Sequence, residues 1–267
     1  MVKVREDRPV GDDGRIDVDA WLHALCARAF VREPERLARA AERAHRAEVE
    51  AIAANRLWAS GISSHETGLE MVDILTDLRV DDDGLVAALL YRAVREDKLS
   101  LAEVDAEFGP TVARLVEGVL RMAAIGALKL SSVPKAIGRP EVQLENVRKM
   151  LVALIDDVRV ALIKLAERTC AIRSAKHARP ERRERVAREV VEVYAPLAHR
   201  LGIGQLRWEL EDLAFRYLEP ETYKRIAALL KERREARQRY IDAVVDTLTE
   251  KLEGSGIHAV VSGRPKH

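Results

Sequence analysis

The apolar positions of this 267-residue chain recur at three- and four-residue spacing over most of its length, the period of helices buried along one face. Residues 1–16 carry turn and charge signals instead (Pro9, Gly11, Asp12, Asp13, Gly14) and read as a lead-in. From Asp17 the helical spacing runs through Trp21, Leu22 and Leu25, and Pro34 opens a long Ala/Arg/Glu helix toward Trp58, broken at Gly61-Ile62-Ser63-Ser64. Leu69, Val72, Leu75 and Leu78 form the next stripe. Asp81-Asp82-Asp83-Gly84 ends it and gives the following helix an acidic start. That helix, Leu85 to Asp97 (LVAALLYRAVRED), is apolar and then abruptly basic. Ser100 and Glu103 have capping-box spacing. In Phe108-Gly109-Pro110 the glycine suits a helix end and the proline the first turn of another, whose face is Val112, Leu115, Val116, Val119 and Leu120.

Gly126 to Pro140 (GALKLSSVPKAIGRP) predicts a surface loop. A second apolar block, Val142 to Ile172, is divided near Asp156-Asp157; its VRVALIKLAERTCAIR part is apolar on most faces, as a central helix must be. Pro180 and ERRER open a helix through Val186, Val190, Val193 and Leu197. Leu206, Leu210, Leu213 and Tyr217 stripe the next, which stops at Glu219-Pro220. The charged, periodic stretch from Tyr223 to Leu252 predicts a pair of linking helices, and IHAVVSG, after Gly254-Ser255-Gly256, a short β-like run. The fold class expected is all-α, a helical bundle with C-terminal linking helices.

Composition narrows the function classes. Strong helix formers dominate and aromatics make up only 4%, which favours the helical reading. The 45 basic and 44 acidic residues leave a net charge of +1, so a dedicated nucleic-acid surface is not indicated. Cys26 and Cys170 lie far apart and form no CxxC, consistent with a reducing compartment. No apolar run approaches a membrane span, and the charged start MVKVREDRPVGDDGR lacks a signal-peptide core; a cytoplasmic protein without a membrane partner is expected.

Leu85–Asp97 resembles the heart of the metal-dependent HD domain of the RelA/SpoT family, whose members make and destroy guanosine tetra- and pentaphosphate. The resemblance continues through Gln143–Leu151 with Asp157–Glu167, through Tyr194-Ala-Pro-Leu-Ala-His-Arg-Leu-Gly-Ile203 with Trp208–Pro220, and through Gly263-Arg-Pro-Lys-His267. Residues 1–60 carry no such likeness. What it implies is an HD-type domain at residues 1–200, linking helices at 201–253, and the first residues of a synthetase domain at 254–267.

In hydrolase members the stretch reads AALLHDVVED, its His-Asp pair binding a divalent metal and its Glu-Asp pair assisting the attacking water. Here those positions are Tyr91 and Arg92, and Arg95 and Glu96. The histidine of YITHPL falls at Thr67-Gly68, with His65 two residues early, and the aspartate of LADRLHN becomes Glu167. Only Glu167 could still ligate a metal, and a single carboxylate does not hold a catalytic ion. A dication and a guanidinium about 5 Å apart repel by about 7 kcal/mol at an effective dielectric of about 20. The resemblance therefore implies a hydrolase-like domain without metal or activity. The whole protein would be a RelA-type GTP pyrophosphokinase that makes (p)ppGpp from ATP and GTP or GDP, with Mg²⁺ as its ion. Its implied partners are the synthetase domain of the same chain and, through other regions, the ribosome and tRNA. Arg264 and Lys266 fall where the synthetase begins to contact ATP.

Other readings of these residues stay open. Arg92 and Arg95 either pair with Asp97, Glu96 or Glu167, or bind a nucleotide phosphate without metal, making the domain an alarmone sensor. A residual (p)ppGpp hydrolase using Glu167 is a third reading. His65, in a polar turn before a helix, reads as a surface histidine. Asp156-Asp157 reads as a helix end, Cys170 as a small apolar group, and Arg182-Arg183 and Arg233-Arg234 as solvated helix faces.

Overall fold

The computed structural model describes residues 8–11, 16–28, 31–56, 62–130, 157–257 and 259–263. They form helices α1 (Val18–Arg28), α2 (Pro34–Ala53), α3 (Ser64–Asp77), α4 (Asp82–Arg95), α5 (Leu101–Phe108), α6 (Pro110–Leu130), α7 (Val158–Ser174), α8 (Pro180–Glu189), α9 (Ala195–Arg200), α10 (Gly204–Leu218) and α11 (Pro220–Gly254), with a 3₁₀ turn at Ala175–His177 and a π-turn at Val190–Tyr194. Two compact units are present, Met1–Ala214 and Phe215–His267.

In the first unit α4 is central, packed against α2, α3 and α6, while α7 packs against α3, α6 and α4. Leu85 to Tyr91 of α4 are all buried, as are Ala93 and Val94. The α2 face beside it is built of Leu37, Ala40, Ala41, Ala44, Ala47 and Ala51, small side chains that let two helix backbones approach. Gly68 does the same for α3: a Cβ there would stand 2.8 Å from the Leu89 carbonyl oxygen of α4.

The helix boundaries follow from side-chain chemistry. Ser63, Asp81 and Asp157 cap α3, α4 and α7 by accepting from backbone amides, and Ser100 with Glu103 forms a full capping box on α5. Gly109, at φ 90°, ends α5 and Pro110 begins α6. Helices α2, α3 and α4 end with Asn55, Arg79 and Asp97 at φ 54°, 57° and 53°, each in a Schellman turn that satisfies the last carbonyls. After α4 this turn sends Lys98 back toward Ala93 and the core.

Four sequence expectations need correction. Helix α6 runs through Gly126 to Leu130, so that part of the expected loop is helical; residues 131–156, including Asp156, lie outside the described residues. The expected pair of linking helices is one helix, α11, because Tyr223 to Leu252 contains no glycine or proline to break it. The IHAVVSG run forms no strand among its described residues, Ile257 and 259–263, where no neighbouring strand pairs with it and Val260 is 99% exposed. Helix α2 ends at Ala53, and Trp58 lies outside the described residues.

The π-turn was not foreseen. Pro196 has no amide to donate to Glu192, and the Ala195 amide just before it bonds to Val190 five residues back, so the helix widens where the proline enters. No described helix is long and apolar enough to cross a membrane.

Candidate functional site

The fully buried run of α7 from Ile163 to Cys170 carries three charged residues, Lys164, Glu167 and Arg168. Buried charges must be paired. Glu167, with no solvent exposure, is the point where the pairs converge. Its Oε2 accepts from Lys164 Nζ at 2.9 Å and Arg168 Nε at 2.6 Å, and its Oε1 accepts from Arg168 Nη2 and from Arg95 Nη1 at 2.9 Å. Arg92 Nη1 stands 3.7 Å from the same oxygen. Burial alone would raise the Glu167 carboxyl, but Arg168, Lys164 and Arg95 outweigh it and hold the group well below the usual carboxylate range. Burial pushes the Lys164 ammonium down to about 8 against the pull of Glu167.

The network extends to both sides. Arg168 Nη1 reaches Glu189 of α8 at 3.1 Å, and its guanidinium lies over the Tyr194 ring. Arg92 Nη2 donates to Glu96, whose Oε2 lies 2.9 Å from Lys98 Nζ. Lys98 also donates to Ser64 Oγ at 2.9 Å and meets Glu48 of α2 at 3.5 Å. Glu48 in turn accepts from Ser63 Oγ at 2.7 Å and from the Ser64 and His65 amides at 3.1 Å each. Among the described residues, five cations thus face four carboxylates along one chain of contacts from α2 to α8.

The sequence-named positions occupy this network as follows. Tyr91 is fully buried, Lys164 Nζ lies 5.9 Å from its ring centroid, and its hydroxyl has no hydrogen-bond partner. Burial, and then the Glu167 charge, push that phenol up to about 12. Arg92 and Arg95 pair with Glu96 and Glu167, two of the partners proposed from sequence. Thr67 is buried and donates its hydroxyl to the Ser63 carbonyl at 2.7 Å. His65 is the correction: it is buried, not a surface residue, because Glu48 covers the start of α3. Burial and then the nearby His45 drive its imidazole down to about 4 against Glu48, and the two rings stand edge to face at 5.1 Å. Cys170 is free and buried, and burial raises its thiol well above the usual value. Arg264, Lys266, and the Arg233-Arg234 side chains lie outside the described residues; Arg182 and Arg183 are half-buried.

Lys164, Arg168, Lys98, Glu48 and Glu189 were not singled out from sequence. The signal was present for the first two, since a lysine and an arginine flanking Glu167 on an otherwise apolar helix have to share its charge.

A divalent metal, as the HD fold implies, does not suit this donor set. Both Glu167 oxygens are filled by cationic donors, an arginine and a phenol stand at the neighbouring positions, and among the described residues no three His, Cys, Asp or Glu side chains converge on one point.

A second ion cluster lies further along α7. Arg173, six residues along α7 from Glu167, forks onto Glu209 of α10 (Nη2 to Oε2, 2.8 Å) and reaches Glu70 of α3 at 3.0 Å.

The sequence profile of the HD domain family matches residues 40–204. The chain is 47% identical over 200 residues to the GTP pyrophosphokinase of Photobacterium angustum and 46% identical over 200 residues to that of Escherichia coli K12, 75% of this chain in each case. It is 38% identical over 237 residues, 89% of the chain, to the GTP pyrophosphokinase of Streptomyces coelicolor. In all three it spans 26% of the relative's length.

Proposed function

Because the chain belongs to the HD domain family, as an amino-terminal HD region of the RelA/SpoT type, we propose that it is the regulatory pseudo-hydrolase part of a GTP pyrophosphokinase. The whole protein makes (p)ppGpp from ATP and GTP or GDP with Mg²⁺, and this region does not hydrolyse the product. Residues 1–200 are the pseudo-hydrolase domain, 201–253 link it onward, and 254–267 begin the synthetase domain, with Arg264 and Lys266 toward ATP. Ribosome and tRNA bind through other regions.

The observation that carries this reading is the closure of Glu167 by Lys164, Arg168 and Arg95. A metal entering there would have to displace three cationic donors from a buried carboxylate and sit beside Arg92. With no ion to activate water, the domain has no nucleophile to offer a pyrophosphate ester. What remains is mechanical. Arg173 ties α7 and α3 to α10 through half-buried, charge-assisted bonds, so a shift in the hydrolase-like core is felt at the helix that leads out of it.

Incubation of this chain with ppGpp and Mn²⁺ tests the chemistry. No pyrophosphate release is expected; turnover that Glu167→Ala abolishes would establish a residual hydrolase instead. The regulatory half fails if removing this domain from the whole pyrophosphokinase leaves synthesis and its dependence on the ribosome unchanged.

A further inference from the structure

We propose that helix α11 is a self-association surface: two copies of this chain pair along it, antiparallel, about a two-fold axis at the level of residue 237.

Helix α11 carries a stripe of apolar side chains that nothing among the described residues covers. Ile226, Leu230, Tyr240, Val244 and Leu248 are between 39 and 71% exposed. They share one face. Ile226 and Val244 are eighteen residues apart, as are Leu230 and Leu248, which is five whole turns at 3.6 residues each, and Tyr240 lies one turn before Val244. Single exposed apolar residues are ordinary, but a stripe that returns along the length of one helix marks a surface to be covered. The chain itself uses a different side of α11. Where it runs back after the helix, a Cβ at Gly263 would stand 2.5 Å from Ile241 and 3.2 Å from Val245, and both of those residues are half-buried. The returning segment thus covers the adjoining side and leaves the stripe bare.

The layout of the stripe selects a second copy as its occupant. Its two ends mirror each other about residue 237: Ile226 and Leu248 each lie eleven residues from it, and Leu230 and Val244 each lie seven. A copy turned end for end sets Ile226 on the second copy's Leu248 and Leu230 on its Val244. Each contact then occurs twice, as a two-fold interface requires.

Charge selects the same orientation. Lys224 and Arg225 outnumber Glu221 at one end of the stripe, while Asp246, Glu250 and Glu253 outnumber Lys251 at the other. Parallel copies would place like ends together, and antiparallel copies place opposite ends together. Arg225 and Glu250 are twenty-five residues apart, about seven turns, so they lie along the same edge of the stripe. The two-fold brings the arginine of each copy level with the glutamate of the other to within one residue, the flanking arrangement that sets orientation in paired helices.

Sedimentation velocity of the intact chain over a concentration series reads the equilibrium, with circular dichroism reporting that each variant keeps its helices. A monomer–dimer equilibrium is expected. Leu230→Glu and Val244→Glu each place a charge in an apolar contact twice per dimer and should weaken association at least about tenfold. Arg225→Glu should weaken it about fivefold, and adding Glu250→Arg to the same chain should restore it, since the pair is then reversed and not lost. In a Cys26→Ser background, the Ile226→Cys and Leu248→Cys proteins should cross-link when oxidised as a mixture and not when oxidised singly. A chain that stays monomeric at every concentration, or a dimer indifferent to both apolar-face variants, overturns the proposal. Cross-linking of the Ile226→Cys protein to itself overturns the antiparallel pairing. A dimer of this chain that is absent from the whole protein also overturns it, because the stripe is then covered by another part of the same polypeptide.

Discussion

Glu167 carries the electrostatic weight of the buried network, and its removal should cost more than any other single change there. Glu167→Gln keeps the shape but leaves Lys164 and Arg95 without their counter-charge and Arg168 with Glu189 alone. Breaking a buried pair in this way costs about 3–5 kcal/mol, which urea unfolding will measure. His65 sets a different dependence. Its folded pKa of about 4 lies below the ordinary value of 6.5, so the unfolded chain binds the extra proton between those pH values. Its contribution is present above pH 6.5 and is lost as pH falls toward 4. His65→Phe, which keeps an aromatic ring against His45, should flatten the fall in stability across that window. The Glu167 contribution goes at lower pH, since its carboxyl is held well below the usual carboxylate range. At this scale the pairing of Arg92 and Arg95 was legible, because a basic last turn beside acidic residues predicts ion pairs. The burial of His65 was not: Ser63 and Ser64 look like a solvated turn until Glu48, fifteen residues away, is seen to accept from both.

Helices α3 and α4 approach so closely at Gly68 that only a hydrogen fits. Gly68→Ala would press a methyl against the Leu89 carbonyl, and an overpacking cost of about 1–3 kcal/mol is expected from thermal unfolding. Arg79 offers the opposite case. It holds φ 57° at the end of α3, where a side chain is strained and glycine is not, so Arg79→Gly should stabilise by about 1 kcal/mol. The stops and starts of the helices were the best-read feature of the sequence, because capping serines and aspartates, Gly109 and Pro110 act locally. Features that depend on distant partners were read less well. Alternation in IHAVVSG says nothing about whether a neighbouring strand exists to pair with it, and Gly126 costs a helix too little to end it. At Pro196, where the sequence was read as continuous helix, the missing amide is absorbed in a single π-turn.

Across the whole molecule, an HD-type bundle holds a salt-bridge network that spans α2 to α8. The bundle was legible because its apolar stripes and its family likeness both run through α3, α4 and α7. The network was legible at Arg92, Arg95 and Glu167, with a signal also at Lys164 and Arg168, but Lys98, Glu48 and Glu189 join from other segments and nothing in their spacing announces it. Substituting Glu209 by Gln should loosen α10 from α7 by removing the charged half of a bidentate pair, seen as faster amide exchange in α10 with exchange in α4 unaltered. The most direct measurement for the account is the metal content of the chain purified without chelator, followed by calorimetric titration with Mn²⁺. Neither bound transition metal nor a saturable Mn²⁺ signal is predicted. A stoichiometric ion that disappears in Glu167→Gln would contradict the account at its centre.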